Sequence, residues 1–269
     1  MKAYLEHLVS TAPTPWLARH WVREYLQVRL LYHLQRQGAM TLIAFQGGTA
    51  LRFLFQLQRF SEDLDFSLEA KQELPLQHWL TILQRHLQDE GYTVSLHRIR
   101  ADRIVASAFI RFPGLLYQLG LSPHRDEQLS VKIEIDTRPP QGARTRTTLV
   151  RKYNTLLHLY HHDAASLLSG KIHALLQRPY LKGRDVYDLL WMLSDPQWPE
   201  PNLTLLTQAL IQSRHPHPKH TALHWREAVW QRLAQASWEE VRRDIAPFLE
   251  DPDQLALLTP ATLRALLRI

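Results

Sequence analysis

The sequence contains no cysteine. This excludes a disulfide framework, thiolate zinc sites, iron–sulfur clusters and a cysteine nucleophile, and it fits a reducing, cytoplasmic setting. Long apolar runs are also missing: no window approaches the roughly 18 apolar residues of a membrane-spanning helix. The N-terminal MKAYLEHLVSTAPTPW carries Glu6, Pro13 and Pro15 where a signal peptide needs an unbroken apolar stretch. There is no internal repeat and no low-complexity tract. The expectation from these absences is a soluble, unexported chain with no membrane partner.

The composition that remains is that of an ordinary globular protein, 45% apolar and 22% charged. At 269 residues the chain suits one or two domains and can bury a sizeable core. Lys plus Arg number 32 against 26 Asp plus Glu, a net +6 with a pI near 9.6, which favours an acidic partner such as a nucleotide or nucleic acid.

Apolar residues at three- to four-residue spacing predict a helix over 14–37, with Thr14 as cap, Pro15 in the first turn and Gly38 as the stop. Short apolar or alternating runs predict strands at 41–45, 63–68, 92–99, 104–112 and 129–136. Helical segments are expected after Gly48 and from Pro75 to about Glu90. Residues 113–128 and 137–148 read as loops. From about 162 the pattern is helical, at 163–178, 182–194, 201–213, 220–235, 237–249 and 259–269. The fold class expected is α+β: an N-terminal α/β domain, 1–150, with a small mixed sheet, and an all-α C-terminal domain, 151–269.

The densest chemical signal is Gln46-Gly47-Gly48-Thr49, then thirteen residues, then Asp63-Leu64-Asp65. Adjacent glycines between a strand and a helix let backbone N–H groups approach a phosphate, and Thr49 adds a hydroxyl. On a strand, Asp63 and Asp65 point to one face and Leu64 to the other. Two carboxylates so placed call for a cation, and hard oxygen ligands suit Mg²⁺, which borrows further oxygens from a nucleotide. Arg59 and Ser61 stand just before the acids. A Gly-Gly turn or an Asp-x-Asp pair alone is ordinarily structural; their order and spacing carry the weight. Should the 129–136 strand pair beside 63–68, Glu134 or Asp136 completes a carboxylate cluster, with Glu134, deeper in the strand, the first choice.

A second group lies on predicted helices. Lys171 stands in an otherwise apolar helical face, where a lysine either snorkels to solvent or reaches a phosphate. Asp185 and Asp188 share a helix face, which can also be a simple ion-pair ladder with Arg184. Arg138, Arg144, Arg146, Arg151 and Lys152, with no acid among them, form a candidate surface for an acceptor's phosphate backbone; Arg98, Arg100 and Arg103 form a second basic cluster. His158 and His162 have helical metal-ligand spacing, a weak signal.

GGTALR, RFSEDLDFSL, KIEID, SGKIHALLQR and GRDVYDLL, in this order, resemble the AbiEii/AbiGii toxin family, which includes the MenT-like toxins, within the polymerase-β-like nucleotidyltransferase superfamily. The resemblance runs from about residue 20 to 195. It implies a nucleotidyltransferase fold and a Mg²⁺-dependent transfer, with Mn²⁺ able to stand in, of a nucleoside monophosphate from an NTP to an acceptor such as the 3′ end of tRNA. It further implies a toxin role opposite a cognate AbiEi-like antitoxin. The resemblance carries over to Gly48, Thr49, Asp63, Asp65, Lys171 and Asp185, with Asp188 as a further candidate. Together with the reading of the residues themselves, metal binding is expected of Asp63 and Asp65, nucleotide binding of Gly47, Gly48, Thr49, Arg59, Ser61, Lys171 and Asp188, and catalysis of Asp63, Asp65, Glu134, Lys171 and Asp185. Thr49 departs from the serine common in the superfamily but keeps the hydroxyl. The competing class is a catalytically idle or protein-modifying member that acts as a nucleic-acid or partner-binding module; the intact acids speak against it.

Overall fold

The computed structural model describes residues 2–70 and 72–269. It opens with α1 (Lys2–Thr11), a helix not expected from the sequence, and α2 (Pro15–Arg36). The Thr14 hydroxyl accepts the Leu17 N–H, Pro15 occupies the first turn, and Gly38 at φ +76° follows the last one, as the residue types dictate. Next come β1 (Ile43–Gln46), α3 (Gly47–Phe55), β2 (Asp63–Leu68), α4 (Leu76–Asp89), β3 (Ser95–Arg100) and β4 (Val105–Pro113). A single helical turn, α5 (Leu115–Gln118), interrupts the expected loop before β5 (Gln128–Asp136).

The expected loop over 137–148 ends early. Residues 145–162 form a hairpin, β6 (Thr145–Lys152) and β7 (Thr155–His162). Its two-residue turn, Tyr153–Asn154, has positive φ at both positions, +46° and +56°, the signature of a type I′ turn. From there the chain is helical: α6 (Ala164–Gln177), α7 (Gly183–Ser194), α8 (Leu203–Gln212), α9 (Pro218–Leu223), α10 (Trp225–Leu233), α11 (Trp238–Ile245) and α12 (Pro260–Leu267). The single helix expected at 220–235 is thus two, broken at His224, and the one expected at 237–249 stops at Ile245 before a 3-10 turn.

The seven strands make one mixed sheet in the order β3-β4-β5-β2-β1-β7-β6. β2 and β5 run parallel, as do β1 and β7, while β1–β2, β4–β5 and β3–β4 are antiparallel. One face carries Leu64, Phe66, Ile133, Ile135, Ala106, Ala108 and Ile110, all buried, and α2 packs on β5. Alternation sends the intervening polar residues to the opposite face. None of the described helices is long and apolar enough to cross a membrane.

The chain divides into two compact units. The first comprises the chain through Leu54 with Phe60–Arg138 and Thr147–His161; the second comprises Phe55–Arg59, Pro139–Arg146 and His162–Ile269. The first holds the strands that carry the paired acids. The second is built from α6 to α12.

Candidate active site

In the first unit, β1 ends at Gln46 and the chain turns at once into α3. Gly47 sits at φ +77°, a conformation L side chains rarely adopt. A Cβ there would come within 2.9 Å of Asp65 Cβ and Cγ and closer still to its carboxylate oxygen Oδ2. The glycine therefore serves two needs: the left-handed turn, and the close approach of the α3 N-terminus to Asp65. Thr49 is fully buried, and its hydroxyl donates to the backbone carbonyl of Asp63. That hydroxyl ties α3 to β2 rather than facing an open cleft. Ser61 is partly exposed, and its carbonyl accepts from Gln27 Nε2 at 2.9 Å.

Asp63 and Asp65 are partly exposed while Leu64 and Phe66 are buried, so the two carboxylates share a sheet face about 7 Å apart along the strand. The parallel register sets Asp63 opposite Lys132, Asp65 opposite Glu134 and Ser67 opposite Asp136. Glu134 is thus beside the acid pair, in an ion pair with Lys132 at 2.6 Å. Asp136 stands one pleat further on. Burial pushes its carboxyl above the usual range, the Arg138 N–H at 2.9 Å opposes this, and the nearby Glu69 charge adds to it. Lys132 was not among the residues singled out from the sequence. Its parity with Glu134, two residues on, was the available signal.

Among the described residues no group of three or more His, Asp or Glu side chains is arranged to hold a metal ion. The donor set of Asp63 and Asp65 nevertheless fits Mg²⁺. It offers two hard, partly exposed carboxylates on one face, leaving most positions to water and phosphate, as Mg²⁺ prefers.

Behind this turn lies a buried charge cluster. Glu24 of α2 is 4% exposed; it pairs with Arg52 of α3, with Lys152 of β6 at 2.9 Å, and accepts from the Tyr153 hydroxyl at 2.9 Å. Burial alone would raise the Glu24 carboxyl, but Arg52 and Lys152 hold it below the ordinary value. Lys152, expected on an acceptor, is one of these anchors. Arg138, Arg146 and Arg151 are exposed, and so is Arg144, which pairs with Asp163 at 3.3 Å. The stretch from 145 to 152 is an edge strand, which corrects the expected loop. His158 and His162 lie on β7, so the helical spacing expected of them does not exist.

In the second unit, Arg59 and Asp188 form a bidentate pair, Nε–Oδ1 2.6 Å and Nη2–Oδ2 2.7 Å, with exposures of 2% and 0%. Lys171 Nζ joins it, 2.7 Å from Asp188 and 3.1 Å from Asp185. Arg178 Nη1 lies 3.0 Å from Asp185 Oδ2, an oxygen without a hydrogen-bond partner of proper geometry. Burial would raise the Asp188 carboxyl; the Arg59 and Lys171 charges outweigh it and hold the group low. Burial would likewise lower Lys171, but Asp188 and Asp185 raise it. Arg59 and Asp188, expected on the nucleotide, face each other inside the protein and present no exposed group to a ligand. Lys171, with a side chain 13% exposed, retains a route to solvent.

The strand–glycine turn–helix, the paired acids on the adjoining strand and a third acid in register thus bring together residues that the sequence resemblance placed in one site. Residues 29–261 match the family described as nucleotidyl transferase AbiEii toxin, type IV TA system, and the chain belongs to that family. No curated protein sequence matches it. Among solved structures it is similar to MenT4, the nucleotidyltransferase toxin Rv2826c from Mycobacterium tuberculosis H37Rv. That match has 16% identity and a TM-score of 0.59, covering 100% of this chain and 89% of that one. A second similar structure, from H. pylori, carries a provisional nucleotidyltransferase assignment. Its identity is 17% and its TM-score 0.54, with coverage of 92% and 94%. At such identities the likeness concerns the fold: an α+β nucleotidyltransferase fold with a mixed sheet, followed by helices.

Proposed function

We propose that the protein is a Mg²⁺-dependent nucleotidyltransferase that moves a nucleoside monophosphate from an NTP to an RNA, with the 3′ end of tRNA as its acceptor, as the toxin of a toxin–antitoxin pair in the cytoplasm. The observation that carries this reading is the register of Asp65 with Glu134 on a polar sheet face, closed at one end by the Gly47 turn. Family membership supports transfer chemistry and a cognate antitoxin. The net +6 and the exposed arginines support a polyanionic acceptor.

In this reading Asp63 and Asp65 hold the metal, and the N-terminus of α3, with Gly48 in its first turn and brought close to Asp65 by Gly47, receives the triphosphate. Mg²⁺, when bound, supplies charge neutralisation on the phosphate oxygens. The acceptor hydroxyl attacks the α-phosphorus in line, Glu134 takes its proton, and pyrophosphate leaves with the electrons of the broken P–O bond. The roles implied by the family resemblance for Lys171 and Asp185, neutralising the triphosphate and orienting that lysine, belong to the same proposal and rest on the sequence motifs. Incubation with each labelled NTP and total cellular RNA tests it. Label in RNA that depends on Asp65 supports the reading. Label in protein points to the protein-modifying alternative, and label nowhere to an idle fold.

A further inference from the structure

The register extends the acid pair into two rows across four strands. One row reads Asp63, Lys132, Phe109, His97; the next reads Asp65, Glu134, Ser107, Arg100. Directly opposed residues in a sheet share a face, so both rows lie on the polar face. Arg111, two residues after Phe109, falls on it too, opposite Ser95 and Ser130. At about 4.8 Å per strand, His97 stands roughly 14 Å from Asp63.

The character of this strip changes with distance from the acids. Lys132 Nζ is held by Glu134 and lies 5.5 Å from the centre of the Phe109 ring. Phe109, Arg111 and His97 are partly exposed, and Arg100 is exposed. From Ser95 to Pro113 the sole acid is Asp102. Among the described residues neither Arg100 nor Arg111 is in an ion pair. A bulge between His97 and Arg100, with Arg98 at φ +50°, twists the edge strand and turns Arg100 onto the face of Ser107. Desolvation and the charges of Arg111 and Arg98 hold the His97 imidazole below its ordinary pKa. An aromatic ring flanked by cations that other side chains do not neutralise, on the same face as catalytic carboxylates, suits stacked bases and backbone phosphates.

We infer that the β3–β4–β5 face is the track for a single-stranded RNA end, with Phe109 as the stacking platform and Arg111 and Arg100 on its phosphates. This rests on the nucleotidyltransferase reading and names the acceptor surface for it. The length of the strip selects a strand over the incoming NTP: three strand spacings exceed what one base beside the acids needs. The arginines of β6 lie at the opposite edge of the sheet order from β3 and are the rival surface.

The test is fluorescence anisotropy of a short fluorescein-labelled single-stranded oligoribonucleotide, and of its blunt duplex, over a range of salt, with parallel titrations of each NTP. Phe109→Leu keeps apolar volume and loses the ring; it weakens single-strand binding roughly 5- to 150-fold, the worth of one stacked base. Arg100→Ala and Arg111→Ala each lower the log–log salt slope by about 0.7. NTP affinity is unchanged in all three. Arg100 is exposed, so its variant keeps the test open even if Phe109→Leu melts early. The inference is overturned by a parent protein that binds no oligoribonucleotide, or by variants that bind as the parent does. It is equally overturned by Phe109→Leu weakening an NTP alone, or by the whole loss falling on Arg146→Ala/Arg151→Ala. Transfer to RNA without these binding effects overturns the track and leaves the enzymatic reading standing; strand binding through Phe109 with no transfer of label does the reverse.

Discussion

Gly47 and Asp65 are mutually exclusive with a side chain: any Cβ on residue 47 enters the space of the Asp65 carboxylate. The sequence joins the turn and the acids by order and spacing, and the structure adds the physical contact between them. Gly47→Ala therefore costs about 1–2 kcal/mol from the left-handed backbone alone and displaces Asp65 as well. Urea unfolding and label transfer check this together; an alanine variant with parental stability and parental turnover would refute it.

The two candidate third acids separate cleanly. Glu134→Gln should lower transfer by about 10²–10⁴-fold, the usual worth of a general base. Asp136→Asn keeps an oxygen for the Arg138 N–H and should leave transfer intact. The Asp136 carboxyl is held above its usual range, so its ionised form opposes folding at neutral pH. Asparagine removes that opposition, and thermal melting at pH 7 should show equal or higher stability. Loss of transfer in Asp136→Asn with full activity in Glu134→Gln reverses the assignment.

Asp63→Asn or Asp65→Asn should bring transfer to background while the fold persists, because removing one of two neighbouring negative charges relieves repulsion. A calorimetric Mg²⁺ titration in the presence of NTP gives a readout independent of turnover. Parental metal binding in both variants sinks the metal assignment.

The buried pair in the second unit makes a different prediction. Asp188→Ala leaves the Arg59 guanidinium buried without its partner and should cost about 3–5 kcal/mol. The double change Arg59→Met/Asp188→Leu should recover most of it. A double variant no more stable than Asp188→Ala, by urea unfolding, contradicts this account.

Acid stability follows from the same groups. Glu24 and Asp188 are held below their ordinary pKa in the folded state. Their contribution is present above the unfolded values, about 4, and is lost as the pH falls through the lower folded values. Lys171 is raised, so its contribution persists below about 10.4 and is lost only above that. Stability measured against pH should therefore hold from about 5 to 9 and fall in acid. Loss that begins near neutrality would assign the transition to histidines instead.

Much of this was legible where residue type alternates with position. In DLDFSL the contrast of acid and apolar fixes both the strand and its faces, and β2 spans the expected residues. In TLLHLYHH that contrast fails: Leu157 and Leu159 are buried while Leu156 is 53% exposed, so leucine stands on both faces. The turn before it uses Tyr153 and Asn154 at positive φ with no glycine to announce it, and the hairpin went unread. Charged residues posed the opposite difficulty. Arg59 and Asp188 are 129 positions apart, and no local pattern distinguishes a buried ion pair from two ligand contacts. Lys132 was visible inside KIEID, but its value lies in its neighbours across β4, which only the register supplies.

The five residues Phe55–Arg59 belong to the second unit although the chain on both sides belongs to the first. They sit between the glycine turn and the acids, in the linker whose spacing marked the motif. A gene cut after residue 150 would thus not yield two transferable modules. The C-terminal product would carry Asp188 and Lys171 without the guanidinium that completes their cluster. The N-terminal product would lose β7, the parallel neighbour of the strand that leads into Gly47. Recombination, split-protein reassembly and domain grafting of this chain must therefore carry the Arg59-bearing linker and the distant helix α7 together, as one inherited block.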